Sequence, residues 1–205
     1  MPWPLRPPTW PRLVCAIISK LVIGKDILRF DELTSTSDKA RETASLRDDI
    51  EGIVVIAKTQ TRGRGKPGAG WFSPEGGLYI SFLLKPFKNP HQLSEITLLG
   101  ARAVVSTVRR LCRLDADIKL PNDVILNDKK VCGVLVERFA GKGNSPVIAV
   151  GIGVNVNIAD LPLELKNTAT SLLLELGRPV DLEKFTKTLI EEINIEYLKF
   201  LSVEI

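Results

Sequence analysis

Hydrophobic positions along the chain fall into short β-branched runs separated by polar, glycine-rich spacers, and into longer stretches of helical spacing. Ile53-Val-Val-Ile-Ala57 and Leu78-Tyr-Ile-Ser-Phe-Leu-Leu84 are continuous apolar runs of strand length, which predicts buried strands. Lys25-Asp-Ile-Leu-Arg-Phe30 alternates, as a half-buried strand does. Pro146-Val-Ile-Ala-Val-Gly-Ile-Gly-Val-Asn-Val-Asn157 is too apolar for anything but a central strand. Between Ser94 and Cys112, Ile96, Leu99, Ala103, Val104, Val108 and Leu111 recur at helical spacing and predict a core helix. Asp181 caps a second helix running through Phe185, Leu189, Ile193, Tyr197 and Leu198. Ile118 to Glu137 reads as a hairpin that turns at Asn127-Asp128-Lys129. The first eleven residues are too rich in proline for helix or sheet, and Arg12 to Ile23 predicts an apolar helix too short to span a membrane.

Composition narrows the function classes. The chain has 205 residues, one domain's worth, with 44% apolar and 25% charged residues, as ordinary globular proteins have. A net charge of +4 suits anionic ligands, yet the cations are interspersed with 24 acids and form no nucleic-acid footprint. No pair of helices joined by a tight turn precedes the core, so no DNA reader is expected. The three cysteines (15, 112 and 132) have no paired spacing, which disfavours zinc and a disulfide framework and fits a reducing cytoplasm. A single histidine, His91, leaves no Ser-His-Asp machinery and reads as a solvated loop residue.

The chemistry concentrates between the first two buried strands. Lys58-Thr-Gln-Thr-Arg-Gly-Arg-Gly-Lys-Pro-Gly-Ala-Gly-Trp-Phe-Ser-Pro-Glu-Gly-Gly77 carries glycines at 63, 65, 68, 70, 76 and 77, with Arg62, Arg64, Lys66 and Trp71. Glycine lets backbone N–H groups approach a ligand, and the cations neutralise an anion. Such a segment could be an RNA-binding tail, a mobile surface hairpin or a ligand loop. A phosphate-binding P-loop is excluded, because Pro67 follows Lys66 where Ser or Thr is required. Thr34, Ser35, Thr36 and Ser37 stand at a strand-to-helix junction; one or two would cap the helix, and the surplus hydroxyls are available to a polar ligand. Lys119-Leu-Pro-Asn-Asp123 sets a cation, an amide and a carboxylate around a proline, and Gly133 within a strand suggests close backbone approach.

Four motifs in register, Gly63-Arg-Gly…Trp71-x-Ser-Pro-x-Gly76, Lys119-x-Pro-Asn-Asp123, Lys130-x-x-Gly-x-Leu-x-Glu137 and Gly151-x-Gly-x-Asn155, resemble the catalytic domain of biotin protein ligases from about Ile27 to Phe200. The resemblance implies an α+β fold, a mixed β-sheet with helices packed on one face. It divides the chain into a proline-rich start with an N-terminal helix (1–24) and a catalytic domain (25–205), without an N-terminal DNA-binding or C-terminal barrel domain. The implied activity joins biotin to ATP as biotinyl-5'-AMP, with Mg2+, then passes biotin to a lysine of a biotin carboxyl carrier domain. Lys130, Arg64 and Lys66 are the implied catalytic cations; Ser35, Thr36, Gln60, Gly63, Arg64 and Gly133 meet biotin. Trp71, Asn122, Asp123 and Asn155 face the nucleotide, and Asp123 also serves the metal. The expected setting is cytoplasmic, away from membrane and DNA, with a homodimer compatible. Leu120, Ser37 and Lys66 depart from the usual tryptophan, asparagine and arginine of the family, and Ala69 and Gly70 stand where further cations are common. Two other functions stay open: a non-catalytic binding module, and a lipoate-type acyl transferase of the same fold.

Overall fold

A computed structural model describes residues 22–66, 68–85 and 92–202. The proline-rich start, most of the expected N-terminal helix, Cys15 and His91 lie outside the described residues. Among the described residues seven strands form one sheet: β1 (Asp26–Leu33), β2 (Ile53–Gln60), β3 (Leu78–Leu84), β4 (Asp117–Lys119), β5 (Asp123–Leu126), β6 (Lys129–Ala140) and β7 (Pro146–Val154). Their spatial order is β1-β2-β3-β7-β6-β5-β4. Only β1 and β2 run parallel; the remaining neighbours are antiparallel, so the sheet is mixed as expected. The apolar runs of β2, β3 and β7 occupy the middle, where both faces are covered, while alternating β1 takes an edge. The expected hairpin holds at Asn127-Asp128, and Asp117–Lys119 adds a short outer strand before Pro121.

Among the described residues four helices cover the sheet: α1 (Thr36–Leu46), α2 (Gln92–Cys112), α3 (Leu172–Leu176) and α4 (Leu182–Ser202). The expectation of helices on one face holds for the long pair, α2 and α4. They pack through Ile96, Leu99, Val104, Phe185, Leu189 and Ile193 on the face carrying Val54, Ile80, Phe82 and Val150. Helix α1 lies on the opposite face, where Ala40 and Ala44 meet Ile53, Val55, Leu83, Val147 and Ala149. Successive strand residues point to opposite faces, so Ile53/Val55 and Val54/Ile56 necessarily serve different layers. Helix α1 buries small residues (Thr36, Ser37, Ala40, Thr43, Ala44), which is why its packing face carries no strong apolar stripe. Ile23, fully buried, is fastened by Asn194 of α4, which accepts from the Val22 and Ile23 amides and donates to the Ile23 carbonyl. Among the described residues no helix is long and apolar enough to cross a membrane.

Candidate functional site

Helix α1 covers only part of its face of the sheet. Beyond its N-terminus the strands pair Tyr79 with Gly153, Gly153 with Gly133, and Gly133 with Asp123, a row crossing β3, β7, β6 and β5. A parallel row sets Ser81 against Gly151 and Gly151 against Leu135. The glycines strip this patch of side chains, and the glycine-rich loop folds over it. Trp71 lies flat on the bare backbone: a β-carbon on Gly153 would come within 2.4 Å of its Nε1, and one on Gly133 within 2.9 Å of its ring. Both positions therefore require glycine for close approach. Gly63 requires it for another reason, since a β-carbon there would strike Ser73 Oγ and the Trp71 carbonyl at 2.4 and 2.5 Å.

Two cavities result. The smaller, about 40 Å³, is lined by Ser35, Thr36, Ser37, Gln60, Arg64, Lys66, Asn122, Gly133, Gly151 and Gly153, among others. The larger, about 290 Å³, is lined by Phe72, Lys119, Asp123, Asp128, Asn155, Leu161 and Leu165, among others. Trp71 and Lys130 belong to the walls of both.

The polar end of the smaller cavity is tied together before any ligand arrives. Ser35 caps α1 by accepting from the Ser37 amide. Gln60 accepts from the Thr36 amide at 2.8 Å and donates to Ser73 Oγ at 2.9 Å, joining helix, strand and loop. Ser81, fully buried on β3, donates to Thr36 Oγ1 at 2.8 Å and lies 3.4 Å from Ser37 Oγ. With that proton given, the Thr36 hydroxyl hydrogen is left to donate elsewhere. Tyr79 closes the base of the loop by donating to the Pro74 carbonyl, and burial pushes its hydroxyl pKa up, which keeps it neutral.

Lys130 is aimed by a bulge. Ile125 pairs with Lys130 but Val124 pairs with Cys132, so Val131 is an extra residue on β6. Such an insertion redirects the neighbouring side chain. Residues 168–170 pin the Lys130 backbone through hydrogen bonds from its amide to Thr168 O and to its carbonyl from the Thr170 amide. Its ammonium sits 2.8 Å from Asp123 Oδ1 and 5.1 Å from the centre of the Trp71 ring. An anion entering from either cavity meets this cation.

The remaining sequence-derived candidates divide. Asn155 lines the larger cavity and donates to the Thr170 carbonyl. Asn122, grouped with it from sequence, instead lines the smaller cavity, donating to the Val134 carbonyl. Gly63 lines neither cavity and packs within its own loop. Arg64 faces the smaller cavity, but its guanidinium is paired with Asp38 and Glu137, both at 3.0 Å. Ser81, Gly151 and Gly153 join the site without having been singled out as ligand contacts, and Ser37, one of the four junction hydroxyls, joins it too. The Gly151-x-Gly spacing was the available signal for the glycines; Ser81, one hydroxyl within an apolar strand, carried none. Among the described residues, Trp71 Nε1, Asn122 Oδ1 and Arg64 Nε are buried at the site without a hydrogen-bond partner, as is Asp123 Oδ1 apart from its ion pair with Lys130. Leaving such groups unpaired is costly, and together they mark where a polar ligand would bond.

The sequence and the fold both have known counterparts. Residues 29–157, more than half of the chain, match the Biotin/lipoate A/B protein ligase family. The Bifunctional ligase/repressor BirA of Bacillus subtilis is 39% identical over 163 residues, 78% of this chain and 50% of that protein. The Biotin--[acetyl-CoA-carboxylase] ligase of Paracoccus denitrificans is 32% identical over 159 residues, 75% of this chain and 66% of that one. Among solved structures, a biotin protein ligase from Aquifex aeolicus in complex with biotin and ATP superimposes with a TM-score of 0.74. It is 34% identical, over 86% of this chain and 72% of its own. The chain spans about half the length of the BirA relatives it matches. On its motifs, its sheet and these likenesses, the chain belongs to the biotin/lipoate A/B protein ligase family.

Proposed function

We propose that the chain activates biotin with ATP as biotinyl-5'-AMP and passes it to a lysine amine of a biotin carboxyl carrier domain. The observation that carries this reading is Lys130, a partly buried cation shared by the two cavities. The smaller cavity has the polar end and apolar walls that biotin's ring and tail require; the larger takes the nucleotide. Biotin's carboxylate then approaches the α-phosphate at Lys130, which relieves the repulsion between the two anions. The carboxylate oxygen bonds to phosphorus and pyrophosphate leaves; the carrier's amine later displaces AMP from the acyl carbon. Positioning and preorganised charge supply the rate.

In this scheme Ser35, Thr36 and Gln60 meet the biotin head, Gly133 and Trp71 wall the tail, and Asn155 and Asp123 lie beside the nucleotide. Lys66 faces the phosphate from the loop. Among the described residues no group of three His, Cys, Asp or Glu side chains could hold a metal alone. Asp123 and Asp128, both on the larger cavity, fit a Mg2+ that keeps triphosphate oxygens and waters as most of its ligands. Bound so, the ion would neutralise phosphate charge, with Asp123 as its first protein contact. The catalytic unit is residues 25–205, acting in the cytoplasm away from DNA, with the carrier domain and, as a homodimer, a second copy as protein partners.

A cysteine-based acyl transferase is disfavoured. Cys132 is fully buried beneath the long helices, and burial pushes its thiol pKa up, away from the reactive thiolate. The deciding experiment is pyrophosphate release with ATP, Mg2+ and either biotin or lipoate. Release with biotin alone is expected; release only with lipoate would overturn the substrate. Binding of biotin without release from either would make the chain a binding module.

A further inference from the structure

We propose that Asp38 and Glu137 are positioning residues that hold the glycine-rich loop over the smaller cavity through Arg64. The latch belongs to the free protein; its bearing on biotin rests on the function proposed above. Arg64 Nη2 lies 3.0 Å from Asp38 Oδ1 and 3.0 Å from Glu137 Oε2. Asp38 stands in the first turn of α1 and Glu137 on β6, so one guanidinium ties the loop to the helix and the sheet together. The other Glu137 oxygen faces Arg41 at 3.6 Å, and Arg41 lies over the Phe139 ring. The Glu137 and Arg64 side chains are only 22% and 33% exposed, which limits solvent screening of their pair.

The loop needs such an anchor. Its two ends are fastened, by the Arg62 amide to Thr34 O and by Gln60 and Trp71 on the far side. Between them, however, the bonds Trp71 N–H to Gly63 O and Gly65 N–H to Ala69 O only close the tip on itself as a small hairpin. With Arg64 neutralised by two carboxylates, Lys66 is the loop cation left facing the cavity. Arg64 contributes through its buried Nε–H, which has no acceptor of its own, while its terminal nitrogens serve the latch. This reassigns Arg64 from phosphate binder to the strut of the loop.

The test is a double-mutant cycle on the full chain, read by subtilisin cleavage between residues 62 and 70 without ligand, and by biotin KM and kcat. Cleavage of a transiently opened segment tracks the open population. Asp38→Asn with Glu137→Gln should speed cleavage about fivefold, as the loss of a partly exposed charge pair allows. Biotin KM should rise by a similar factor while kcat falls by less than about twofold. In an Arg64→Ala background the same two substitutions should add nothing to cleavage, because the carboxylates reach the loop through Arg64, the Arg41 contact of Glu137 lying on the helix. Unchanged cleavage, or the same acceleration in both backgrounds, overturns the proposal. If the double variant fails to fold, Asp38→Asn alone, half-exposed on a helix turn, carries the cycle. A wild-type chain that releases no pyrophosphate would sink the ligase reading, yet the cleavage cycle would still decide the latch.

Discussion

The two cavities that meet at Lys130 are built in opposite ways. In the smaller one nearly every polar group is already oriented by another: Ser35 by a helix amide, Thr36 by Ser81, Gln60 by the Thr36 amide and Ser73. Its side chains hang on α1 and the central strands, which cannot move without opening the core. The larger cavity has Asn155 and the Lys130–Asp123 pair held in place, but takes its other polar groups from the outer strand β4, the Asn127-Asp128 turn and residues 161–169, with Lys119 and Asp128 exposed. One half is organised before binding, so its ligand meets groups already in place; the other offers space and charge that its ligand must organise. The difference predicts strict recognition on one side and adjustable, screenable attraction on the other.

The shared cation should produce the largest effect. Lys130→Ala removes the charge that, among the described residues, both cavities share, and should slow adenylate formation on the order of 10²-fold or more. Biotin binding should survive, weakened, because the hydroxyl end does not depend on Lys130. Pyrophosphate release and biotin titration on the folded variant measure the two separately. Unchanged turnover would remove Lys130 from the mechanism.

Next comes the partition itself. Gly153→Ala would place a methyl 2.4 Å from Trp71 Nε1, so the indole must lift from the sheet and both cavities lose their common wall. A misplacement of this size should lower kcat/KM roughly tenfold or more. Gly133→Ala, whose methyl meets the ring edge at 2.9 Å, should cost less. Equal activity in Gly153→Ala would show that Trp71 closes only the loop and walls neither cavity.

How much of this could be read from the chain follows from the range of each interaction. Buried strands, core helices, the loop and Lys130 were legible, because each is written in a contiguous pattern of residue types. The bare row of Tyr79, Gly153, Gly133 and Asp123 was not, since it exists only once β3, β7, β6 and β5 adopt their register. The same holds for Arg64, whose partner Glu137 lies 73 residues away. Asn122 and Asn155 look alike in sequence, yet they serve different cavities because one precedes β5 and the other follows β7. The side taken by α1 was not legible for a local reason: it buries alanine, serine and threonine, so its face is written in size rather than hydrophobicity.

A finer test of the preorganised half is Ser81→Ala. The variant fits the strand but removes the donor to Thr36 Oγ1, leaving that hydroxyl free to turn away from its ligand. One net hydrogen bond corresponds to about 1 kcal/mol, so biotin KM should rise about fivefold with kcat nearly constant. Ser37→Ala, whose contact with Ser81 is longer at 3.4 Å, should do less. A kcat effect larger than the KM effect would mean that Ser81 supports the reacting end instead of the head.

The smallest expected effect separates the two halves by salt. Lys119 and Asp128 on the larger cavity are exposed, and mobile ions shield such charges: the Debye length falls from about 10 Å at 0.1 M to about 3 Å at 1 M. Lys130 is better protected by Trp71 and Asp123, which caps how much attraction screening can remove. ATP affinity should therefore fall on the order of two- to threefold between low and high salt, since only its exposed contacts are screened. Biotin affinity should stay level, because neutral hydrogen bonds in a narrow cavity carry no ionic atmosphere to exchange. Titration calorimetry of each ligand at both salt concentrations reads this directly. A biotin affinity that drops in parallel with ATP would mean that its carboxylate at Lys130, rather than its head among the hydroxyls, dominates binding, and the contrast between the cavities would be one of size alone.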